Sequence, residues 1–335
     1  MSSQRTIEQI ASPAATWDAE IARHAPPIPL QQTWAWGEVQ RRLGWRVERL
    51  RLSDGSRAMV MLRGVWPFEW AYTPRGPVPA TLDAVSELVD WARARHLAQL
   101  RVEPQGTPEL GELLRGAGFL RGPISEPQHT VIVDLTNADA QLANFRKSTR
   151  YNLRTAERLG VVVDEVDDTD ELSRLVAITY RRQGIVMSTA GFNRALREVM
   201  DDTRIYVARV GSTPLGAILV ARHGCRAYYL VGGSSDFGRE LMPNYALQWR
   251  AMCDAHRDGC VDYDLCGIPP PGQPNHPWRG LYQFKTGFGG REVEYTGPWD
   301  LAISPAACVV MRRAGKSKRR ATYAIHRLGN LFGNT

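Results

Sequence analysis

The chain has 335 residues, of which 43% are hydrophobic, and it carries a net charge of +7. This length and apolar content predict two domains with sizeable cores. The five cysteines form no CxxC pair, the N-terminus opens onto no apolar segment, and no apolar run is long enough to cross a bilayer. These features exclude a disulfide framework and a transmembrane protein. We expect a cytoplasmic protein with reduced thiols, at most peripheral at the inner face of the membrane.

The positive charge is concentrated in a C-terminal tail, residues 311–335. This tail holds seven basic residues and no acidic residue, so it accounts for the net charge of the whole chain. Such a tail suits phosphates, either on RNA or on an anionic membrane surface. A solvated tail that binds nothing explains the same composition.

The first half of the chain predicts an α/β unit. Thr33 is a suitable N-cap for a helix that Gly44 would end, and an Asp-Gly turn at 54–55 joins two alternating segments into a hairpin. The remaining predicted elements are a helix at 17–23, a strand at 68–72, a helix at 82–96, a strand at 100–103, a helix at 109–116 and a strand at 130–135.

The second half repeats the order of hairpin, strand, helix and strand. The elements are a hairpin at 205–220, a strand at 226–231, a helix at 244–257 and a strand at 261–265. The offset between the two sets is roughly 160 residues. This repetition predicts a duplicated unit and therefore two similar domains.

A basic segment, residues 141–160, lies between the two repeats. Its apolar residues are spaced three and four apart, which predicts one amphipathic helix. Four arginines recur every four residues, with Lys147 beside them: Arg146, Arg150, Arg154 and Arg158. Like charges at this spacing weaken a helix, so a phosphate backbone is a fitting counter-ligand, although an ordinary exposed face explains the pattern too.

Residues 278–290, WRGLYQFKTGFGG, place one lysine among aromatic residues and glycines. A buried cation is costly unless it meets a negative charge, and one use of it is to stabilise an oxyanion during acyl transfer. Composition alone favours an exposed lysine beside a turn, with the aromatic residues in a core. Both interpretations of Lys285 stay open at this point.

The same stretch resembles the C-terminal signature of the Fem-type aminoacyltransferases, which transfer amino acids from aminoacyl-tRNA to peptidoglycan precursors. Six further stretches resemble elements of that family in the family's order: QTWAWGEV (32–39), AYTPRGPV (71–78), KSTRYNLRTAERLG (147–160), GGSS (232–235), PNYALQW (243–249) and YDLCGI (263–268). Each is weak alone, and together they cover the chain from about residue 30 to about residue 300.

This resemblance implies an α/β fold of two tandem GNAT-type acyltransferase domains. Domain 1 is expected at residues 1–140, completed by the C-terminal segment 298–335. Domain 2 is expected at residues 141–297 and would begin with the basic helix. No cofactor and no metal are implied, and the seven histidines form no metal-ligand pattern.

The implied reaction is aminolysis of the aminoacyl-tRNA ester by an amine of the peptidoglycan precursor. Lys285 would stabilise the oxyanion electrostatically, with the backbone of Phe284 beside it. The implied substrate-binding residues are Arg75, Gly76, Glu103, Tyr229, Tyr245, Gln248 and Asp264. The implied tRNA-binding residues are Arg146, Lys147, Arg150 and Arg154. Glu103 and Asp264 close equivalent strands of the two repeats, so either could accept the proton of the amine, or each could be a cap or salt-bridge partner.

The sequence departs from the family branch that acts on soluble UDP-linked precursors. Gln40 and Ser188 stand where that branch has a lysine and an arginine for the nucleotide diphosphate, and Val231 replaces a tyrosine. A lipid-linked precursor is therefore favoured. The family's long coiled-coil insertion is also missing, since the chain contains no heptad run.

Four alternatives remain open from the sequence. The acceptor could be a small amine of specialised metabolism. The donor could be acyl-CoA, although neither repeat carries the Q/R-x-x-G-x-G/A loop that binds pyrophosphate. Cys266 could carry the acyl group as a thiolate, although no histidine lies near it in sequence. The chain could also be a non-catalytic protein that binds RNA or a membrane on an inherited fold.

Overall fold

The computed structural model describes residues 7–9, 13–25, 27–183, 189–273, 275–276 and 278–314. Two seven-stranded sheets form its framework. The first sheet has, in spatial order, β1 (Glu8–Gln9), β2 (Arg46–Arg51), β3 (Arg57–Arg63), β4 (Trp70–Arg75), β5 (Gln99–Pro104), β14 (Trp299–Ala302) and β6 (Leu120–Arg121). The second sheet has β13 (Arg291–Glu294), β7 (His129–Asp134), β12 (Asp262–Ile268), β11 (Arg226–Ser234), β10 (Thr213–His223), β9 (Thr203–Val210) and β8 (Val162–Val166).

Helices cover both sheets. They are α1 (Ala14–Ala22), α2 (Trp34–Arg42), α3 (Leu82–Ala94), α4 (Pro108–Gly116), α5 (Ala138–Asn144), α6 (Lys147–Arg158), α7 (Thr169–Arg182), α8 (Ala190–Val199), α9 (Pro243–Arg257) and α10 (Arg279–Thr286). Residues 305–314 are also helical. Among the described residues, none of these helices is long and apolar enough to span a membrane.

The predicted duplication is confirmed by the strand order. In the first sheet, β2, β3 and β4 are antiparallel neighbours, and α3 leads from β4 to its parallel partner β5. In the second sheet, β9, β10 and β11 are antiparallel neighbours, and α9 leads from β11 to its parallel partner β12. The predicted cap of α2 is confirmed too, because the Thr33 hydroxyl accepts a hydrogen bond from the Trp36 amide at 3.1 Å.

The two repeats exchange one strand each. β7 follows the first repeat in the chain, but it pairs with β12 and β13 in the second sheet. β14 follows the second repeat, but it pairs with β5 and β6 in the first sheet. The predicted boundary at residue 140 thus leaves β7 with the first domain, whereas its hydrogen bonds belong to the second. We propose sheet membership as the better division of the chain.

Three clusters of buried residues hold these layers together. One lies between the first sheet and α3 and includes Trp299 of β14, and another lies between the second sheet and α9. The third, the central core, joins the two domains. It contains residues of α1, α2, α7, α8 and the inner faces of both sheets, among them Trp17, Trp36, Met59, Leu172, Leu196 and Tyr228. The inner faces of the two sheets are therefore packed against one another through these helices.

Candidate active site

The parallel pair of the second sheet opens partway along its length. β11 and β12 are paired only from Arg226 opposite Asp262 to Tyr228 opposite Asp264, and within the described residues no pairing between them follows. The Arg226–Asp262 ion pair, 2.6 Å from Nη2 to Oδ2, closes the base of this opening. Beyond it, the described residues of the two strands make no ladder hydrogen bonds to one another, which leaves backbone groups available to a ligand. Openings at the carboxyl ends of parallel strands are the usual ligand sites of α/β folds.

A bulge in β12 explains why the strands part. The register of β12 against β7 shifts between Asp264 and Gly267, and Cys266 adopts a left-handed conformation with φ of 54°. The Asp264 carboxylate fixes this geometry, because its Oδ1 accepts hydrogen bonds from the Cys266 amide at 2.7 Å and from the Thr130 hydroxyl. Bulges bend and twist the strand that carries them. The Asp264 side chain therefore stabilises the bulge that separates β12 from β11.

Lys285 extends from α10 into this opening. Its side chain is 5% exposed, and its Nζ donates a hydrogen bond to the carbonyl of Gly267 at 2.8 Å. The same Nζ lies 5.2 Å from the ring centroid of Tyr229 on β11. The interpretation of an exposed lysine beside a turn is therefore wrong. A buried ammonium stands between the two parted strands, with one hydrogen bond made and further N–H groups available.

Burial lowers the pKa of Lys285 to about 8, while the nearby Cys266 and Asp264 act in the opposite direction. At neutral pH the side chain is therefore still mostly protonated. A protonated amine in a water-poor opening stabilises an oxyanion more strongly than an exposed lysine does. The geometry suits an electrostatic role and does not suit a base at pH 7.

Aromatic residues hold α10 in place. The ring of Phe284 lies 5.0 Å from that of Tyr245 and 5.2 Å from that of Phe288, both edge to face. Phe288 in turn contacts Phe145 at 5.2 Å. These contacts fix the helix that carries Lys285. The Phe284 carbonyl accepts a hydrogen bond from Gly287 at the end of the helix, so the catalytic role implied for its backbone stays a prediction.

A cavity of about 360 Å³ lies between the two domains, next to the opening. Residues of the first half of the chain form one wall: Pro29, Leu30, Gln31, Trp36, Gln40, Leu43, Arg75, Gln105, Glu126 and Pro127. Residues of the second sheet and of α8 are prominent in the other: Thr130, Phe192, Tyr228, Leu230, Asp264, Cys266 and Tyr295. Two of the predicted substrate-binding residues, Arg75 and Asp264, thus line the same cavity from different domains.

Arg75 is almost completely buried at the end of β4. It is 6% exposed, its Nη2 donates to the Pro127 carbonyl at 2.5 Å, and its guanidinium lies 4.1 Å above the ring of Tyr295. Its Nη1 is buried and has no hydrogen-bond partner among the described residues. A buried donor without a partner is costly, which makes it a candidate contact for a ligand.

Glu126 is a residue that the sequence did not single out. Its Oε2 accepts a hydrogen bond from the Gln31 side chain at 2.9 Å, and its backbone amide donates to both oxygens of Glu103 at 3.2 and 3.3 Å. Burial and the neighbouring Glu103 raise the pKa of Glu126 to about 7, against the lowering effect of Arg75. No motif marks Glu126 in the sequence, because its surroundings are assembled from three separate segments.

Glu103 lies behind this wall of the cavity. It is fully buried, and the Tyr72 hydroxyl donates to its Oε2 at 2.6 Å. Burial raises the pKa of Glu103. Glu103 and Asp264 do occupy equivalent strands, as predicted, opposite Pro74 and Tyr228 of the parallel partners. Only Asp264 of the two lines the cavity.

Two of the predicted substrate-binding residues have packing roles. A side chain at Gly76 would meet the Gln32 amide and the Thr73 hydroxyl at 2.6 Å, so Gly76 allows Gln32 to bind the backbone of β3 and β4. Gln248 is 1% exposed on α9 and accepts a hydrogen bond from the Tyr263 hydroxyl at 2.9 Å. Gln248 thus lies within the core behind the second sheet.

The single helix predicted for residues 141–160 is wrong, because the segment forms two helices, α5 and α6. Phe145 between them is extended and buried, with its ring 5.6 Å from that of Trp249. Arg150 stabilises the break, since its guanidinium donates to the carbonyls of Leu142, Ala143 and Phe145 at the end of α5. Arg150, which was predicted to bind tRNA, therefore makes its hydrogen bonds within the protein.

The other cations of α6 and its N-cap are exposed on the surface: Arg146, Lys147, Arg154 and Arg158. No ion pair involves them or Arg150 in the part of the chain that the structure describes, while Arg146 also lines a second cavity of about 300 Å³ beside α10. An exposed cluster of unpaired cations suits a polyanion. The basic tail lies outside the described residues from position 315 onwards, as does Ser188.

The thiol of Cys266 does not suit covalent catalysis. Burial, with Asp264 beside it, raises its pKa well above the usual value, so the thiol is protonated at neutral pH. No group of three or more potential metal-ligating side chains occurs in the described ranges.

Comparisons with known proteins identify the fold. Residues 143–286 match the acetyltransferase (GNAT) domain family. The lipid II:glycine glycyltransferase of Staphylococcus aureus, strain USA300, is 22% identical over 387 aligned positions, which cover 86% of this chain and 91% of that protein. The crystal structure of FemX superposes with a TM-score of 0.73 and 20% identity, covering 88% of this chain and 97% of that one.

A tandem GNAT protein from the clavulanic acid biosynthesis pathway superposes with a TM-score of 0.56 and 12% identity, covering 90% of this chain and 99% of that one. The predicted fold of two GNAT-type domains is therefore confirmed. The predicted resemblance to the Fem-type aminoacyltransferases is confirmed as well.

Proposed function

We propose that this relative of the Fem-type aminoacyltransferases transfers an aminoacyl group from aminoacyl-tRNA to an amine of a lipid-linked peptidoglycan precursor. The observation that carries the proposal is the position of Lys285. A buried ammonium stands where β11 and β12 part, beside a cavity that both domains line. Aminolysis of an ester needs a cation for the oxyanion and a space for the incoming amine, and these two features provide them.

The reaction then proceeds in two stages. The acceptor amine gives up a proton and attacks the ester carbonyl, so that a C–N bond forms and the carbonyl oxygen becomes an oxyanion beside Lys285. The oxyanion collapses, the ester C–O bond breaks, and the ribose oxygen leaves with a proton as a hydroxyl group. The products are an amide and uncharged tRNA, and no ATP is needed because the ester is already activated.

Glu126 is the group that we propose as acceptor of the amine's proton, in place of Glu103 or Asp264. It lines the cavity, and its pKa of about 7 allows it to be ionised and still basic at neutral pH. Glu103 lies behind the wall, bound to Tyr72 and to the amide of Glu126. Asp264 Oδ1 is engaged in the bulge of β12.

Two features support aminoacyl-tRNA as the donor and a lipid-linked precursor as the acceptor. The unpaired cations of α6 lie on the same domain as Lys285, and Arg146 is held beside α10 because its backbone N–H donates a hydrogen bond to the Gly287 carbonyl at 2.9 Å. An RNA bound along α6 would therefore end near the opening. At the cavity, Gln40 supplies no positive charge for a nucleotide diphosphate, which favours a lipid-linked precursor over a UDP-linked one.

A second candidate is transfer from acyl-CoA, because residues 143–286 match the acetyltransferase (GNAT) domain family. The turn that would hold the pyrophosphate argues against it. Residues 235–242 contain Glu240, and Pro243 opens α9, so that helix lacks one of the backbone N–H groups that bind phosphate. Acyl-CoA is therefore the weaker candidate.

A transfer assay read by mass spectrometry tests the proposal. Purified protein receives charged total tRNA with lipid-linked muropeptide precursor, and acetyl-CoA in a parallel reaction. We expect the precursor to gain the mass of one or more amino acids and RNase to abolish the gain. Acetylation in the parallel reaction, with no gain from tRNA, would contradict the proposal and favour the acyl-CoA enzyme.

A further inference from the structure

Arg75 presents the cavity with an unused donor. Its Nη2 donates to the Pro127 carbonyl and its guanidinium lies over the ring of Tyr295, and these two contacts hold the side chain at the cavity. Its Nη1 is buried and unpartnered among the described residues. A guanidinium held in this way is complementary to a carboxylate or a phosphate oxygen.

The proposed reaction limits where such an anion comes from. The carboxyl group of the donor amino acid is esterified to tRNA, so it carries no charge in the cavity. A free carboxylate next to Arg75 must therefore belong to the acceptor. This step rests on the proposed function.

The charges around Arg75 favour a ligand that is not simply anionic. Glu126 lines the same cavity, and Glu103 lies directly behind it, bound through the amide of Glu126. The Glu126 carboxylate in the cavity wall disfavours a phosphate or pyrophosphate group beside Arg75, whereas an ammonium group is attracted to Glu126. Glu126 Oε2 is bound to Gln31, and its other oxygen makes no side-chain bond among the described residues.

We propose that this cavity recognises an acceptor amine that carries a carboxylate on the same carbon, with the carboxylate on Nη1 of Arg75 and the ammonium on Glu126. The two partners come from different segments of the first half of the chain and line the same cavity as Asp264 and Cys266 of β12. Arg75, Glu126, Asp264 and Cys266 line one cavity, and Lys285 binds the carbonyl of Gly267, which follows Cys266 in β12. The acceptor is thus of the diaminopimelate type rather than the lysine type.

Two acceptors that differ by one carboxylate test this inference. Lipid-linked precursors with meso-diaminopimelate or with lysine as the third residue of the stem peptide are aminoacylated by the wild-type protein. We expect kcat/KM to be at least about tenfold higher for the diaminopimelate precursor, since a charge-assisted hydrogen bond to buried arginine is lost with lysine. Equal values, or preference for lysine, would overturn the inference and leave the proposed function standing. Turnover of neither precursor would overturn the proposed function itself.

Substitution of Arg75 tests whether this residue causes the preference for the diaminopimelate precursor. Arg75→Gln should bring the two kcat/KM values together, and this ratio is insensitive to the fraction of protein that folds. Arg121→Gln is the matched control, because Arg121 also donates to a carbonyl, that of Thr296 at 2.6 Å, and lies 4.7 Å from the ring of Trp299, but it does not line the cavity. The control should keep the wild-type ratio. A wild-type ratio in Arg75→Gln would overturn the assignment.

Inorganic pyrophosphate separates a carboxylate site from a phosphate site. We expect millimolar pyrophosphate to leave KM for the precursor unchanged, because the Glu126 carboxylate beside Arg75 repels it. Competition by pyrophosphate that disappears in Arg75→Gln would identify Arg75 as a phosphate contact and overturn the inference.

Discussion

The parallel pair of the first sheet stays closed, whereas the equivalent pair of the second sheet opens. β4 and β5 are paired without interruption from Trp70 opposite Gln99 to Arg75 opposite Pro104. β11 and β12 separate after three residue pairs. The neighbour on the other side explains the difference. β14 pairs with β5 in unbroken register, but β12 bulges against β7. One bulge therefore distinguishes a closed strand pair from an open one in two otherwise similar sheets.

This difference assigns separate tasks to the two domains. The open pair of the second domain receives a cation, Lys285, at the place where an ester can be held. The closed pair of the first domain ends in Arg75, which faces the cavity instead of a gap between strands. A duplicated fold thus supplies two unlike halves of one proposed site.

The largest expected effect comes from removing the cation of the open pair. Lys285→Met should lower kcat for transfer by about 10²- to 10³-fold, because the oxyanion loses its charged partner. The variant should still unfold cooperatively, since methionine has a similar length and apolar stem. Initial rates with charged tRNA and thermal unfolding measure both. Retained turnover would remove Lys285 from the mechanism.

The pH dependence of kcat/KM should report the ionisation of one residue from each domain, Lys285 and Glu126. Burial depresses the pKa of Lys285 to about 8, so activity falls as pH rises through 8 and the cation loses its proton. Burial raises the pKa of Glu126 to about 7, so activity falls as pH decreases through 7 and the base becomes protonated. We expect a bell-shaped profile. Glu126→Gln should remove the acid limb and Lys285→Arg the alkaline limb; unchanged limbs would contradict these assignments.

Substitution of Asp264 tests whether the bulge keeps the strands apart. Asp264→Asn retains an oxygen that can accept from the Cys266 amide and the Thr130 hydroxyl, so activity should stay within about tenfold of wild type. Asp264→Ala loses this acceptor, and activity should fall by about 10²-fold as the opening changes shape. Equal losses in both variants would instead identify Asp264 as the general base.

The smallest expected effect comes from the surface of the second domain. Arg154→Glu with Arg158→Glu should weaken tRNA binding and make its salt dependence shallower by about two counterions. Arg150 is unsuitable for this test because it holds the end of α5. The matched control is Arg93→Glu with Arg115→Glu, which makes the same charge change on α3 and α4 of the first domain. Equal effects of both pairs would show that α6 is not the binding surface.

Local sequence signals predict much of the fold. Thr33 was identifiable as a cap, and the Asp-Gly turn placed the first hairpin, because both effects depend on neighbouring residues. α7 was not among the predicted elements, although its Leu172, Leu175 and Val176 lie at helical spacing. α10 was not predicted either, because the glycines within residues 278–290 indicated turns. Only Gly287 of these glycines ends the helix.

The site depends on contacts that no local pattern records. The bulge needs Thr130 and Asp264, which are far apart in sequence and meet only in the folded second sheet. The pKa of Glu126 depends on its burial between two domains and on Glu103 behind it. Lys285 was identified from the resemblance, whereas its buried position follows from the opening that it enters.

The exchange of β7 and β14 has a consequence for synthesis on the ribosome. The first sheet lacks a strand until residues 299–302 have emerged, and the second lacks its edge strand until residues 291–294 have emerged. Both sheets are therefore completed only when residues 291–302 are available, almost together, and the N-terminal domain gains no head start from being made first. Because of this strand order, we expect the two domains of this duplicated protein to complete folding together, and not one after the other during synthesis.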